Sequence, residues 1–302
     1  MSRAAYPLLA RKRANRLIDE LAITSFPVDP EAVAGAKGIS VETHTKFPQG
    51  RYGALVRQGD LFRIVVWAGC PTLGHRRFTI AHELGHYHLD GHVEALLASS
   101  STAVSNGSNY TGRKDPLEVE ADAFASELLM TERFARPVIK SLTAGLTAVR
   151  EIANQFVVSF SAAAIRLAML TDEPVIVLLS MNRSMEWVTF SPAFREHDWT
   201  RRRMRGEWVP PDGATHALAS SPKRVVAGEE ASDRNLLSEW FEGAPATEAF
   251  EEALGLGPYG RVLTVLTCPA LPSAEEIAVE EQERAESGTG DWRDALRGYS
   301  LG

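Results

Sequence analysis

The chain has 302 residues and a formal net charge of −7. A length of that order buries a substantial core and suggests two or three modules, while the negative balance argues against a broadly basic nucleic-acid coat. Cys70 and Cys268 are the only cysteines and lie far apart, which excludes a disulfide framework and a four-cysteine metal site. Met1-Ser2-Arg3, running into Arg11-Lys12-Arg13, lacks the apolar stretch of a secretory signal, and no run reaches membrane-spanning length. A reducing cytoplasm is therefore the expected compartment.

Residues 8–21 read as an amphipathic helix with Leu9, Ala14, Leu17, Ile18 and Leu21 as its apolar positions. Its Arg11, Lys12, Arg13 and Arg16 read as a solvated face in preference to a phosphate contact. Pro27 and Pro30 break the chain before a short helix over 31–36, and Gly38 leads into a strand over 39–43. Strand formers over 52–56 and 61–67 flank Gln58-Gly59-Asp60, which predicts a β-hairpin. An edge strand there could hold a peptide by main-chain hydrogen bonds.

The next helix carries His82-Glu83-Leu84-Gly85-His86. At i and i+4 the two histidines project from one face, the spacing of a zinc hydrolase helix, and can ligate one Zn²⁺ at roughly 2.0–2.1 Å each. Glu83, about 100° further round, is placed to act as a general base toward water. Tyr87 and His88, further round still, do not point clearly at the metal, and the donor to an oxyanion stays open.

Residues 99–115 are rich in Ser, Thr, Asn and Gly and read as a loop. Asp115 then caps, and Pro116 opens, a helix over 117–130. Ala121, Phe124, Ala125, Leu128 and Leu129 form its apolar stripe, with Glu118 and Asp122 at the edge. A carboxylate at the margin of a buried face needs a partner, which makes Glu118 the predicted third metal ligand and Glu120 the weaker candidate. Asp122, one turn on, could accept the free ring N–H of a ligating histidine. Glu120 and Glu127 are predicted to point to solvent.

Phe78-Thr79-Ile80-Ala81-His82-Glu83-Leu84-Gly85-His86, followed by Glu118-Val119-Glu120-Ala121-Asp122-Ala123-Phe124-Ala125-Ser126-Glu127-Leu128-Leu129-Met130, resembles the ImmA/IrrE metallopeptidase family. Members often carry Pro after Leu-Leu-Met, where this chain has Thr131. The resemblance implies a multidomain α+β protein: a zincin-like metallopeptidase domain over 1–140, a helix-turn-helix-like module over 141–172 and a GAF-like domain over 173–271. An acidic, flexible tail is expected over 272–302 from its glutamates.

In the second module, residues 149–156 and 158–170 read as helix, turn, helix with an apolar interior. Arg166 is the main polar side chain its second helix offers, too little for groove reading or phosphate binding, so a helical connector is favoured over DNA recognition. In the third, hairpin strands over 175–180 and 185–190, a helix near 232–241 and a strand over 261–267 are predicted. Arg201-Arg202-Arg203 with Arg205 is the densest basic cluster and reads as an ordinary loop.

A His82, His86, Glu118 set would leave one coordination position open, as a catalytic zinc site requires, and Glu83 would take a proton from water and return it to the leaving amine. Zn²⁺ is the expected ion, with Mn²⁺ as the alternative. The resemblance implies cleavage of a helix-turn-helix repressor of the DdrO kind, inducing a radiation and desiccation response. The competing reading is a DNA-binding regulator with a structural metal and a GAF-type sensor domain. Glu83 counts against it, because a structural site needs no base.

Overall fold

Apolar residues three and four apart wind the first segment into α1 (Pro7–Glu20), burying Ala10, Ala14, Leu17 and Ile18. The predicted Leu9 is instead 59% exposed. It lies about 100° from Ala10, on the outer side of the stripe that Ala10 begins. After α2 (Pro30–Ala36), strands β1 (Ser40–His44), β2 (Gly53–Gln58) and β3 (Leu61–Trp67) form a sheet in the order β1-β3-β2. The hairpin is antiparallel, from Gly53 opposite Val66 to Gln58 opposite Leu61, while β1 runs parallel to β3. That order leaves β2 at a sheet edge. The structure is a computed structural model that describes residues 5–47, 50–99, 115–201, 204–269, 271, 276 and 279.

Six helices follow: α3 (Leu73–His88), α4 (His92–Ser99), α5 (Pro116–Leu129), α6 (Glu132–Lys140), α7 (Leu146–Phe156) and α8 (Phe160–Leu170). Asp115 caps α5 as predicted, accepting the Leu117 N–H at 2.9 Å. Of the loop expected over 99–115, Ser99 is instead the last residue of α4, and residues 100–114 lie outside the described residues. The chain divides into two compact units, Met1–Thr143 with Thr147–Leu170, and Ala144–Leu146 with Thr171–Gly302.

The core of the first unit joins Leu17 and Ile18 of α1, Leu55 and Ile64 of the sheet, Ile80 and Leu84 of α3, and Phe124 and Leu128 of α5. Gly85, which adds no side chain at the crossing, and the small Ala121 opposite it let α3 and α5 lie close. A Cβ on Gly85 would lie 3.1 Å from Ala121 Cα and 3.3 Å from Phe124 Cβ. A larger residue at either crossing point would push apart the faces that carry His82 and His86 on one helix and Glu118 and Asp122 on the other.

The expectation that Glu120 and Glu127 face solvent is overturned, for both are 3% exposed. The stripe argument assumed one covered face, but α5 is covered on further sides. Glu127 accepts Arg166 Nη2 of α8 at 2.8 Å and Asn15 Nδ2 of α1 at 3.1 Å, and Glu120 meets the chain just ahead of α1. Arg166 is itself only 2% exposed. Helices α7 and α8 are separated by three residues and bend by 111°. They pack within the unit: Phe156 stacks on Phe26 at 4.5 Å, and Arg77 donates to Val157 O at 3.1 Å.

The second unit holds a five-stranded sheet in the order β5-β4-β8-β7-β6, antiparallel throughout. Its strands are β4 (Val175–Met181), β5 (Ser184–Phe190), β6 (Glu230–Leu236), β7 (Glu248–Gly255) and β8 (Arg261–Thr267). Helices α9 (Ala214–Ala219) and α10 (Pro222–Ala227) set Leu218 and Val225 against Ala253 and Val262. An aromatic cluster of Phe194, Trp199, Trp240 and Phe241 packs on Ile176 and Leu178.

The hairpin and β8 match expectation, but the helix predicted near 232–241 does not. Residues 230–236 are the edge strand β6, and only α11 (Leu237–Trp240) is helical. Ser232, Asp233 and Asn235 are poor strand formers, and the ladder to β7 overrides that preference. Arg201 pairs with Asp198, while Arg202, Arg203 and, save for 276 and 279, the acidic tail lie outside the described residues. Among the described residues no single helix is long and apolar enough to cross a membrane.

Candidate metal centre

The i, i+4 spacing on α3 and the close crossing of α5 bring three donor groups together. His82, His86 and Glu118 each offer an atom within 4.8 Å of the others, and no other such cluster exists among the described residues. His82 Nε2 is 3.2 Å from Glu118 Oε2, His86 Nε2 is 3.5 Å from Glu118 Oε1, and the two Nε2 atoms are 3.1 Å apart. Two imidazole nitrogens and a carboxylate converging like this call for a positive charge among them, a proton on His82 or a metal ion that displaces it. Two imidazoles and a carboxylate are also the donor set of a catalytic zinc site, so the residues present fit the ion.

Asp122 Oδ1 lies 3.0 Å from His82 Nδ1, where the carboxylate accepts the ring N–H. That bond fixes the tautomer and leaves Nε2 as the donor atom. Glu83, 1% exposed, lies on the same helix. Tyr87 packs edge-on against Phe62 and His88 stacks on Phe124. Sequence reasoning missed His92, whose Nδ1 is 3.0 Å from His86 Nδ1. The available signal was a further histidine six positions after His86, at the head of its own helix. Glu120, the weaker candidate ligand, is not in the cluster; its Oε2 is 2.9 Å from His92 Nε2.

Burial acts to lower the pKa of His82, but hydrogen bonds to Asp122 and Glu118 and the charges of Glu83 and Asp122 overcome it and raise the pKa to about 10. Glu118 is held at about 2, because its bonds to His82 and His86 outweigh the opposing effect of burial. At neutral pH, then, Glu118 is a carboxylate and His82 carries a proton that a metal must displace. A raised pKa means the proton competes throughout the range below it, so apparent zinc affinity should rise by about tenfold per pH unit from pH 6 to 9. Calorimetry in buffers of different ionisation enthalpy should register about one proton released per ion. A pH-independent affinity would contradict it.

The edge strand comes up against this helix. A Cβ on Gly53, the first residue of β2, would overlap Thr79 Cγ2 and lie 3.3 Å from Glu83 Oε1. Gly53→Ala should therefore cost about 1–3 kcal/mol, as overpacking does. A urea midpoint equal to wild type would refute the close approach.

Residues 40–168 match the family model of the IrrE N-terminal-like domain, a span that contains all the residues of the cluster. Metallopeptidase ImmA of Bacillus subtilis strain 168 is 39% identical over 62 residues, or 20% of this chain. The chain spans about a third of that relative's length, 32%. In fold, a Mycobacterium tuberculosis transcriptional regulator is similar over 86% of this chain and 76% of that one, with a TM-score of 0.56 and 18% identity. The likeness to the regulator concerns fold alone, whereas the domain match falls on the stretch that bears the histidines, Glu83 and Glu118. Residues 40–168 thus form an IrrE N-terminal-like domain, and the likeness to ImmA fits a protein of the ImmA/IrrE metallopeptidase kind.

Proposed function

We propose that the chain is a zinc-dependent endopeptidase that acts in the cytoplasm by cutting and inactivating a helix-turn-helix repressor of the DdrO kind, thereby inducing a radiation and desiccation response. One observation carries the reading: a three-donor cluster of His82, His86 and Glu118 beside a buried Glu83, against the end of an edge strand. A zinc ion held there would supply Lewis acidity to a peptide carbonyl and acidify water.

The chain's own residues do the rest. His82 and His86 bind through Nε2, Asp122 orients the first of them, and Glu118 supplies the third ligand and one negative charge. Glu83 receives a proton from the attacking water on its carboxylate and delivers it to the leaving amine. β2 supplies main-chain groups for an extended peptide, with Gly53 letting the strand lie close against Thr79 and Glu83. Residues 1–140 would then form the peptidase domain and 141–172 the helical module, with a GAF-like domain over 173–271 as a regulatory part. A five-stranded antiparallel sheet with helices packed on it supports that last assignment.

The rival reading, promoter binding through the helical module, loses its best residue, because Arg166 is buried against Glu127. The test is to incubate the purified chain, zinc-loaded or chelated, with a helix-turn-helix repressor of that kind. Truncation at one site is expected with metal only. A repressor that stays intact beside the zinc-loaded chain would overturn the assignment.

A further inference from the structure

Behind one member of the donor cluster lies a line of buried polar groups that the proposed chemistry does not use. His86 Nδ1 is 3.0 Å from His92 Nδ1, and His92 Nε2 is 2.9 Å from Glu120 Oε2. Glu120 Oε1 in turn accepts the Tyr6 backbone N–H at 2.8 Å. His86 and His92 are fully buried and Glu120 nearly so. Three segments meet here: the residue ahead of α1, the first residue of α4, and a side of α5 that is turned away from Glu118.

With Glu120 ionised and His92 neutral, elementary hydrogen-bond chemistry assigns the direction of every bond in this line. An ionised carboxylate only accepts, so the hydrogen between His92 and Glu120 is on His92 Nε2. A neutral His92 then presents a bare Nδ1, and His86 Nδ1 must be the donor to it. That leaves His86 with a bare Nε2, the atom aimed at Glu118 and at His82. His82 obtains the same result directly from Asp122. For His86 the nearest carboxylate in that direction is one ring too far, and His92 carries its effect across.

We propose that His92 and Glu120 are positioning residues that hold His86 in the tautomer and ring orientation needed to bind a metal through Nε2, with Glu120 anchored by the Tyr6 backbone. This rests on the metal reading of the site. It gives Glu120 a role other than ligand, and it gives a reason for burying a carboxylate on the far side of α5.

The experiment uses the full chain without substrate. Zinc affinity is measured by competition with a chromophoric chelator for wild type, His92→Leu and His92→Asn, with folding checked by circular dichroism. Loss of such a partner weakens metal binding by about 10–100-fold, the effect expected for His92→Leu. His92→Asn, whose amide oxygen can accept from His86, should recover most of it. A folded His92→Leu with wild-type affinity overturns the proposal and leaves the metal reading standing, whereas a wild-type chain that binds no zinc removes both. If His92→Leu does not fold, histidine-selective ¹⁵N NMR of the zinc-loaded wild type decides. His92 protonated on Nε2 and bare on Nδ1 supports the relay, and the opposite tautomer overturns it.

Discussion

Replacing Glu83 by Gln is expected to lower kcat/KM for repressor cleavage by about 10²–10⁴-fold, the range for loss of a general base, with zinc content unchanged. The amide keeps the size of the carboxylate but cannot take a proton from water. Because Glu83 is buried, its shape also matters, and Gln preserves the packing against Gly53 and Thr79. Glu118→Gln should behave in the opposite order, losing zinc first and activity as a consequence. Measuring metal content beside initial rates separates the two carboxylates. Equal loss of zinc in both variants would mean that Glu83 belongs to the ligand set, and normal cleavage by Glu83→Gln would end the protease mechanism.

The histidine pair, Glu118 and Asp122 were legible because each follows from a local rule. Spacing on α3 aligns the histidines, and the margin of an apolar stripe places the carboxylates of α5. What could not be read was how many other elements cover α5. A helix wheel has one inside and one outside, so it sent Glu120 and Glu127 to solvent. In the fold α1, α4 and α8 close on those sides, and each glutamate has a partner far away in sequence, His92 for one and Arg166 for the other. The same limit explains the second unit. β8 is a run of strand formers and was found, but β6 is polar and owes its extended form to pairing with β7. Parallel pairing of β1 with β3 likewise has no signature in either strand alone.

Arg166 provides the sharpest test of that covered side. Its guanidinium and the Glu127 carboxylate are 2.8 Å apart, with side chains 2% and 4% exposed, so neither charge has water to fall back on. Arg166→Met removes one charge and strands the other, which in buried pairs costs about 3–5 kcal/mol. Two features set where in that range the loss should fall. Glu127 keeps its bonds from Asn15 Nδ2 at 3.1 Å and the Glu132 backbone N–H at 3.0 Å, which soften the loss. Arg166, in turn, is among the largest fully buried side chains, so Met also leaves a void. An arginine held at a surface for DNA would behave differently, since substitutions there stay within about 0.5 kcal/mol. Urea unfolding of wild type and Arg166→Met decides between these outcomes. Adding Glu127→Leu to Arg166→Met should restore part of the loss, because two matched apolar residues tolerate burial better than one unpaired charge. Full recovery is not expected, for Asn15 and the Glu132 N–H would then lose their acceptor. A destabilisation below about 0.5 kcal/mol would return Arg166 to the surface and reopen the DNA-binding reading.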